Sequence, residues 1–245
     1  MTVFDDLGAE QDRLGDILAG LSDAEWATPS LAQGWTVRDV VVHLAQTEEM
    51  ALARLTGATD EAGPADQGGR TVGEIMAVLV ETDPATPADA LRRWQQARGP
   101  AMERLRAADP QQRIEWAAAP LKPAALATTR LAEHWTHGLD ITGPLGIGFP
   151  DTDRLRHVAW LAHRMLPYAI GLAGEPAAAV RVELTGPDGT STWEFGPPEA
   201  ASVITGDAGA FCRVAAQRLT PAASGLQASG PDGARALALI RTYAV

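Results

Sequence analysis

The apolar residues of this chain repeat with one period before Gly171 and with another after it. Up to that point they recur three or four positions apart, the spacing that lines one face of a helix. Beyond it, residues 180–184 and 191–195 alternate apolar and polar side chains around a turn at residues 186–189, which predicts a β-hairpin. We therefore expect an α+β chain, with helices gathered first and a small mixed unit after them.

Helix start signals divide the first part of the chain into separate helices. In a capping box, a Ser or Thr N-cap precedes an acidic or amide residue by three positions. Sites of this form precede predicted helices at Ser22, Thr36, Thr71 and Thr86. Other helices are predicted at residues 4–21, 124–141 and 153–170, the second ended by Gly143 and Pro144. The segment 57–69, rich in Gly, Ala and Asp, is expected to be poorly ordered.

The last third of the chain carries short elements of both kinds. Residues 202–205 and 226–228 are predicted strands, and helices are expected from Asp207 to about residue 219 and from Asp232. The linker that follows Gly171 is a plausible boundary. The sequence thus predicts a helical bundle over residues 1–170 and a small α+β domain over residues 175–245.

Charge and hydropathy exclude several classes of partner. The formal net charge is −11, and Lys122 is the only lysine among scattered arginines, so neither nucleic acid nor an anionic membrane surface is an expected partner. No apolar run reaches the roughly 18 residues of a membrane span. The acidic first residues lack the basic region of a signal peptide, and a cytoplasmic protein is expected.

The chain has one cysteine, Cys212, so an intramolecular disulfide is impossible. A lone cysteine can be a nucleophile or a buried structural thiol. Phe211 and Val214 flank it on an apparent amphipathic helix, which favours the buried thiol.

Glu133 and His137 lie four residues apart in a predicted helix and therefore share one of its faces. His43, on an earlier helix, could complete a His/Glu/His set around one metal ion, which leaves a coordination position open for a substrate atom or water. Two simpler interpretations stay open. Glu and His at this spacing often form a surface pair, and a histidine on an apolar stripe usually packs in the core.

Other polar residues near this motif have alternative roles. Asp140, one turn after His137, could orient that imidazole or could be an ordinary helix-end carboxylate. Arg130, one turn before Glu133, could pair with it or bind substrate, and Arg38 also lies near a candidate ligand. His134, His157 and His163 are expected to be surface or packing residues, although His157 could approach the site.

Residues 34–44 resemble the signature G-W-x-x-x-D-x-x-x-H-L of the mycothiol-dependent maleylpyruvate isomerase N-terminal family, a branch of the DinB-like bundles. Residues 130–140 resemble its second signature, Glu-x-x-x-His followed by Asp. The similarity spans most of the chain, including residues 180–184, Trp193 and 203–207. It is strongest to an actinobacterial subgroup of metal-binding proteins with no settled activity, and the Arg-, Ala- and Gly-rich composition is typical of such a GC-rich genome.

The resemblance implies a DinB-like four-helix bundle followed by a small sterol-carrier-protein-like α+β domain. It also implies one divalent metal ion, best suited to zinc, held by His43, Glu133 and His137; iron, nickel and manganese remain alternatives. Mycothiol would be the co-substrate, bound as a thiolate that adds to an electrophilic small molecule or an unsaturated acid. A monomer or a homodimer is expected.

Two further residues acquire catalytic roles from the resemblance, Asp140 and Arg218. Arg218 stands where the family has a Gly-Arg pair near its active site, with Gln217 in place of the glycine. Arg218 would steer an anionic substrate; a surface arginine is the alternative.

The sequence leaves more than one function open. The resemblance favours a metal-dependent isomerase or S-transferase that uses a metal-activated thiol. The alternatives are a metal-bearing protein that binds or sequesters a small molecule without turnover, and a thiol-independent Lewis-acid enzyme. A hydrolase is disfavoured because the motif lacks the glutamate base of His-Glu-x-x-His enzymes, and an iron oxygenase because those ligands usually lie on a β-barrel.

Overall fold

The computed structural model describes residues 2–58, 70–116, 119–176 and 178–243. The described residues up to Phe149 form one compact unit, and those from Pro150 to Tyr243 form another. The predicted poorly ordered segment lies almost entirely outside the described residues. Among the described helices, none is both long and apolar enough to cross a membrane.

The helices of the first unit begin where the start signals predict. Capping boxes are present at Ser22, Thr36, Thr71 and Thr86, and also at Thr2. The described helices are α1 (Val3–Ala19), α2 (Asp23–Trp26), α3 (Val37–Thr56), α4 (Val72–Thr82), α5 (Pro87–Ala107) and α6 (Pro123–Leu145). The four long helices α1, α3, α5 and α6 pack against one another, as the predicted bundle requires.

The core of the first unit lies between these long helices. It consists of the apolar faces that the helical spacing predicts, and α3 contributes most to it. Fully buried members include Leu14, Leu18, Val37, Val40, Val41, Leu44, Trp94 and Ile141. Burying such side chains stabilises the fold by about 1.5–3 kcal/mol each, and it holds α3 and α6, the two helices with candidate ligands, at fixed positions.

Helix α6 continues through Gly143 and Pro144 to Leu145, farther than the sequence predicts. Pro144 has no N–H to donate to the carbonyl of Asp140 one turn earlier. The N–H of Leu31 donates to that carbonyl instead, at 3.1 Å. This outside donor lets the helix keep a proline in its last turn, which local sequence rules do not anticipate.

The second unit combines helices with a four-stranded sheet, so the predicted α+β class is confirmed. Its described elements are α7 (Leu155–Leu172), β1 (Val180–Thr185), β2 (Thr192–Phe195), β3 (Ser202–Asp207), α8 (Ala208–Ala215), β4 (Gln227–Ser229) and α9 (Gly233–Leu239). The strand order is β2-β1-β3-β4. The predicted hairpin is the antiparallel pair of β1 and β2, whereas β3 runs parallel to β1.

Helix α8 ends at Ala215, earlier than the predicted residue 219, because the chain turns at Gln217. Gln217 has a φ of +61°, in the left-handed region that favours glycine. Its side-chain amide donates to the carbonyls of Val214 and Ile240, each at 3.1 Å. These bonds hold a non-glycine residue in a conformation that would otherwise be unfavourable.

Helix α7 belongs to the second unit, whereas the sequence predicts the boundary after it, at residues 170–175. The imidazole of His163 lies 3.0 Å from the carbonyl of Val180 on β1. The thiol of Cys212 on α8 donates to the carbonyl of Leu155 at 3.6 Å. Helical periodicity identifies α7 as a helix, but its packing partners depend on the sheet.

Cys212 is fully buried, as expected if it is a structural thiol and not a nucleophile. Burial raises the pKa of its thiol well above the usual value, and the nearby Asp151 carboxylate raises it further. A thiol that stays protonated is a poor nucleophile, so Cys212 is a packing residue.

Gly138 has no room for a side chain, because the ring of Phe149 packs closely against it. A Cβ atom there would overlap the ring of Phe149 and come within 2.7 Å of its Cε1 atom. That ring is buried, and the guanidinium of Arg13 lies 3.5 Å from its centroid.

We expect Gly138→Ala to destabilise the protein, because overpacking typically costs about 1–3 kcal/mol and outweighs the gain in helix propensity. Gly8→Ala is the matched control: Gly8 also lies in a helix, and nothing approaches its Cβ position within 4 Å. It should raise stability by about 0.5–1 kcal/mol. Urea unfolding of both variants measures the difference, and an unchanged midpoint for Gly138→Ala would contradict the packing argument.

Candidate metal site

The structure brings together the three residues that the sequence nominates as metal ligands. His43 comes from α3, and Glu133 and His137 come from one face of α6. Glu133 Oε2 lies 3.3 Å from His43 Nε2 and 3.5 Å from His137 Nε2. All three potential ligand atoms lie within 4.8 Å of one another. The i, i+4 spacing thus places both α6 side chains toward the same histidine of α3.

The site is buried on its histidine side and more open at the carboxylate. His43 and His137 are 8% and 9% exposed, whereas the Glu133 side chain is 33% exposed. The half-buried ring of Trp35 lies with its centroid 5.1 Å from the His43 ring and 6.3 Å from the His137 ring. The ring of Trp35 and the burial of both imidazoles limit the access of water to the histidine side of the site.

Asp140 anchors the ring of His137. Its Oδ2 lies 2.9 Å from His137 Nδ1, and the Asp140 side chain is completely buried. Burial alone would lower the pKa of His137, but the hydrogen bond to Asp140 and the neighbouring Glu133 carboxylate outweigh it and raise that pKa to about 9. The Asp140 bond fixes the tautomer and directs Nε2 toward Glu133, as a carboxylate does for a metal-bound histidine.

The other two groups are held in the forms that bind metal. Burial lowers the pKa of His43 and favours its neutral form. Burial would raise the pKa of Glu133, but hydrogen bonds to His137 and His43 outweigh this and lower the pKa well below its usual value. At neutral pH these shifts leave Glu133 ionised and His43 neutral, whereas His137 carries a proton on both ring nitrogens.

His43 lacks the anchor that His137 has. Its Nδ1 atom is buried and has no hydrogen-bond partner among the described residues. Its main-chain carbonyl accepts from the hydroxyl of Thr47, at 2.9 Å. Apart from the contact of its Nε2 atom with Glu133, the position of this imidazole therefore depends on the placement of α3 and on its contact with Trp35.

These donors fit a divalent metal ion. Two imidazole nitrogens and one carboxylate oxygen form the ligand set of many catalytic zinc sites, which keep a fourth position open. One of the two histidines, His137, also has its other ring nitrogen hydrogen-bonded to a carboxylate, that of Asp140, as metal-bound histidines commonly do. The same donors suit iron, nickel and manganese.

Arg130 lies beside the site but does not pair with Glu133, which corrects one of the sequence alternatives. Its Nε donates to Glu48 Oε1 at 2.9 Å, and both side chains are only 2% exposed. His134, expected to be a surface or packing residue, is also fully buried next to this pair. Arg38, in turn, donates to the Asp39 carboxylate and to main-chain carbonyls.

Sequence reasoning missed Glu48 altogether. The available signal was its position one turn and a half after His43 on a helix with an apolar face, where an acidic side chain needs a buried partner.

Arg218 lies in the second unit and lines a pocket of about 320 Å³ together with Gln217 and Thr220. Its Nη1 donates to the carbonyl of Ala216 at 2.9 Å. Gln217 has a left-handed backbone, which a glycine adopts freely. This agrees with the glycine that the resembled family has at this position.

Comparison with known families agrees with the extent of this helical unit. A family model described as the mycothiol maleylpyruvate isomerase N-terminal domain matches residues 7–142, which is more than half of the chain. The protein belongs to this family, and the resemblance seen in its sequence is confirmed.

Relatives and solved structures extend the similarity to nearly the whole chain. Proteins from two strains of Mycobacterium tuberculosis, both described as uncharacterized, are 37% identical over 245 residues, covering 98% of this chain and 94% of theirs. Crystal structures of the mycothiol-dependent maleylpyruvate isomerase and of a histidine-to-alanine mutant are similar in fold. Each has a TM-score of 0.64 at 15–16% identity and covers 93% of this chain and 91% of the other.

Proposed function

We propose that the protein is a metal-dependent enzyme that uses a low-molecular-weight thiol, mycothiol or a relative, against an electrophilic small molecule. His43, Glu133 and His137 would hold one divalent ion, most readily zinc. The observation that carries this proposal is the convergence of their three ligand atoms within 4.8 Å. When bound, such an ion lowers the pKa of a thiol so that it is a thiolate at neutral pH.

The residues of the site have separate tasks in this proposal. Asp140 holds the proton of His137 at Nδ1 and so presents Nε2 as a ligand, which makes it a positioning residue. Glu133 contributes negative charge and lies at the more exposed edge, where a thiol and a substrate would enter. Trp35 excludes water from one side of the two imidazoles. Arg218 would bind an anionic group in the pocket of the second unit that it lines.

The reaction proposed first is isomerisation of a cis double bond conjugated to a carbonyl. The thiolate sulfur forms a bond to one alkene carbon, and the electron pair of the double bond moves to the conjugated carbonyl. Rotation about the resulting single bond follows. The carbon–sulfur bond then breaks, the double bond re-forms in the trans geometry, and the thiolate is regenerated. If the adduct is protonated on carbon instead, the product is a thioether and the protein is an S-transferase.

Support comes from the family, whose name includes a mycothiol-dependent isomerase, and from the donor set. A cytoplasmic location is part of the proposal, because a reducing compartment keeps a thiol co-substrate reduced.

The test incubates zinc-loaded protein with mycothiol and a set of cis-unsaturated acids and simple electrophiles. Thiol loss and the cis/trans ratio are followed together. We expect turnover that requires both metal and thiol and that is lost in Glu133→Gln. Ligand binding without product would support sequestration instead, and turnover without any thiol would replace the proposal with a Lewis-acid enzyme.

A further inference from the structure

A buried chain of hydrogen bonds connects three helices directly beside the candidate ligands. Arg130 of α6 bonds Glu48 of α3 through Nε, and its Nη2 donates to the hydroxyl oxygen of Thr47 at 2.7 Å. The Thr47 hydroxyl in turn donates to the carbonyl of His43. A path of polar contacts thus runs from α6 to the main chain of the one ligand that α3 supplies.

The same series of hydrogen bonds extends to α5 through His134. The indole N–H of Trp94 donates to His134 Nε2 at 3.0 Å, and His134 Nδ1 donates to the carbonyl of Arg130 at 2.7 Å. Trp94 has only a donor, so Nε2 must be the accepting nitrogen and His134 must be the neutral Nδ1–H tautomer. Burial agrees with this, since it lowers the pKa of His134 to about 4. Both ring nitrogens are occupied, so His134 is not a further ligand.

We propose that this network, Trp94–His134–Arg130–Glu48–Thr47, is a positioning device for the metal site. It would set the separation of α3 from α6 and thereby the distance of His43 from Glu133 and His137. The inference rests on the proposed function, since it concerns the same metal ion.

The asymmetry of the two histidines is the reason for this assignment. His137 is oriented by Asp140, whereas His43 Nδ1 has no partner among the described residues. The His43 ring therefore moves with α3. Metal–nitrogen distances must be met to within about 0.2 Å, and hydrogen bonds have defined distances and angles, whereas apolar burial is non-directional. A directional ion pair between the two ligand-bearing helices supplies the missing precision.

Stability alone does not explain a buried ion pair at this place. Removing two charges from water costs several kcal/mol each, and an apolar pair of similar size is often as stable or more so. The network is therefore expected to affect metal binding more than folding.

The first experiment compares two neighbouring carboxylates on α3. Glu48→Gln removes the charge inside the network and leaves the side-chain shape unchanged. Glu49→Gln is the control: Glu49 accepts two bonds of 2.8 Å from Arg93 on α5, outside the network, close to the 2.9 Å between Arg130 and Glu48. Zinc affinity is measured by competition with a chromophoric chelator, and ligand geometry by the visible spectrum of the cobalt-substituted protein. We expect zinc to bind about tenfold or more weakly to Glu48→Gln, with a changed cobalt spectrum, and no change in Glu49→Gln.

A second set of variants keeps the test decisive if Glu48→Gln folds poorly. The double variant Glu48→Leu with Arg130→Met replaces both charges by apolar groups and should fold. Thr47→Val removes the hydroxyl, and Thr47→Ser restores it. Weakened zinc binding in the double variant and in Thr47→Val, with rescue in Thr47→Ser, supports the proposal. Wild-type affinity and cobalt spectrum in the folded double variant overturn it, whereas a wild-type protein that binds no zinc overturns the proposed function instead.

Discussion

Replacing His137 with alanine should remove the metal from the protein. Wild type purified with zinc is expected to contain about one ion per chain, and His137→Ala close to none, because two remaining ligands do not hold zinc in a structural or catalytic site. Elemental analysis after gel filtration measures the ratio. His163→Ala is the control, since this imidazole contacts the carbonyl of Val180 and lies in the second unit.

The same loss should appear in thermal unfolding. A ligand that binds only the folded state stabilises it by about 2.7 kcal/mol at a free concentration 100 times its Kd. Zinc should therefore raise the Tm of wild type and of His163→Ala but not that of His137→Ala. Equal metal content and equal Tm shifts in all three proteins would remove His137 from the ligand set.

Metal affinity should increase steeply with pH. His137 must lose its proton to bind through Nε2 while Asp140 keeps the proton at Nδ1, and the pKa of His137 is raised to about 9. Glu133 is already ionised and His43 already neutral, because both of their pKa values are lowered. Below pH 9 one proton is released per ion bound, and the apparent affinity falls about tenfold per pH unit. Between pH 8 and pH 6 the expected loss is on the order of 100-fold.

The stability of the metal-free protein should decrease as the pH rises, whereas the metal affinity increases. A histidine whose folded pKa exceeds its unfolded value stabilises the fold fully below that unfolded value of about 6.5. This contribution is lost as the pH rises through about 9.

Asp140→Asn provides the control for both pH effects. It removes the carboxylate whose hydrogen bond raises the pKa of His137. Zinc affinity should then change less between pH 6 and 8, and the alkaline loss of stability should shrink. Calorimetric titrations in two buffers of different ionisation enthalpy count the protons released, and a wild-type protein that releases no proton when it binds zinc between pH 6 and 8 would contradict the assignment of the proton to His137.

Local features of the chain could be predicted because their physical causes are local. A capping box needs only a Thr or Ser and an acidic residue three positions later, and each predicted box is present, including Thr36 with Asp39. The pairing of Glu133 with His137 follows from the pitch of one helix. The change of periodicity after Gly171 predicts the β1–β2 hairpin for the same reason, since neighbouring strands are joined by a short turn.

Contacts between residues that are distant in sequence depend on the tertiary structure alone. Arg130 pairs with Glu48, which is 82 positions away, and not with nearby Glu133, because the packing of α3 on α6 buries both groups and a buried charge requires a partner. The parallel pairing of β1 with β3 and the association of α7 with the second unit likewise depend on which apolar faces meet. By itself the sequence determined the helices, the hairpin and the two candidate ligand residues of α6, because these depend on spacing along one element. Only the tertiary structure decided how the candidate ligands are held, because that depends on contacts between elements that no local pattern records.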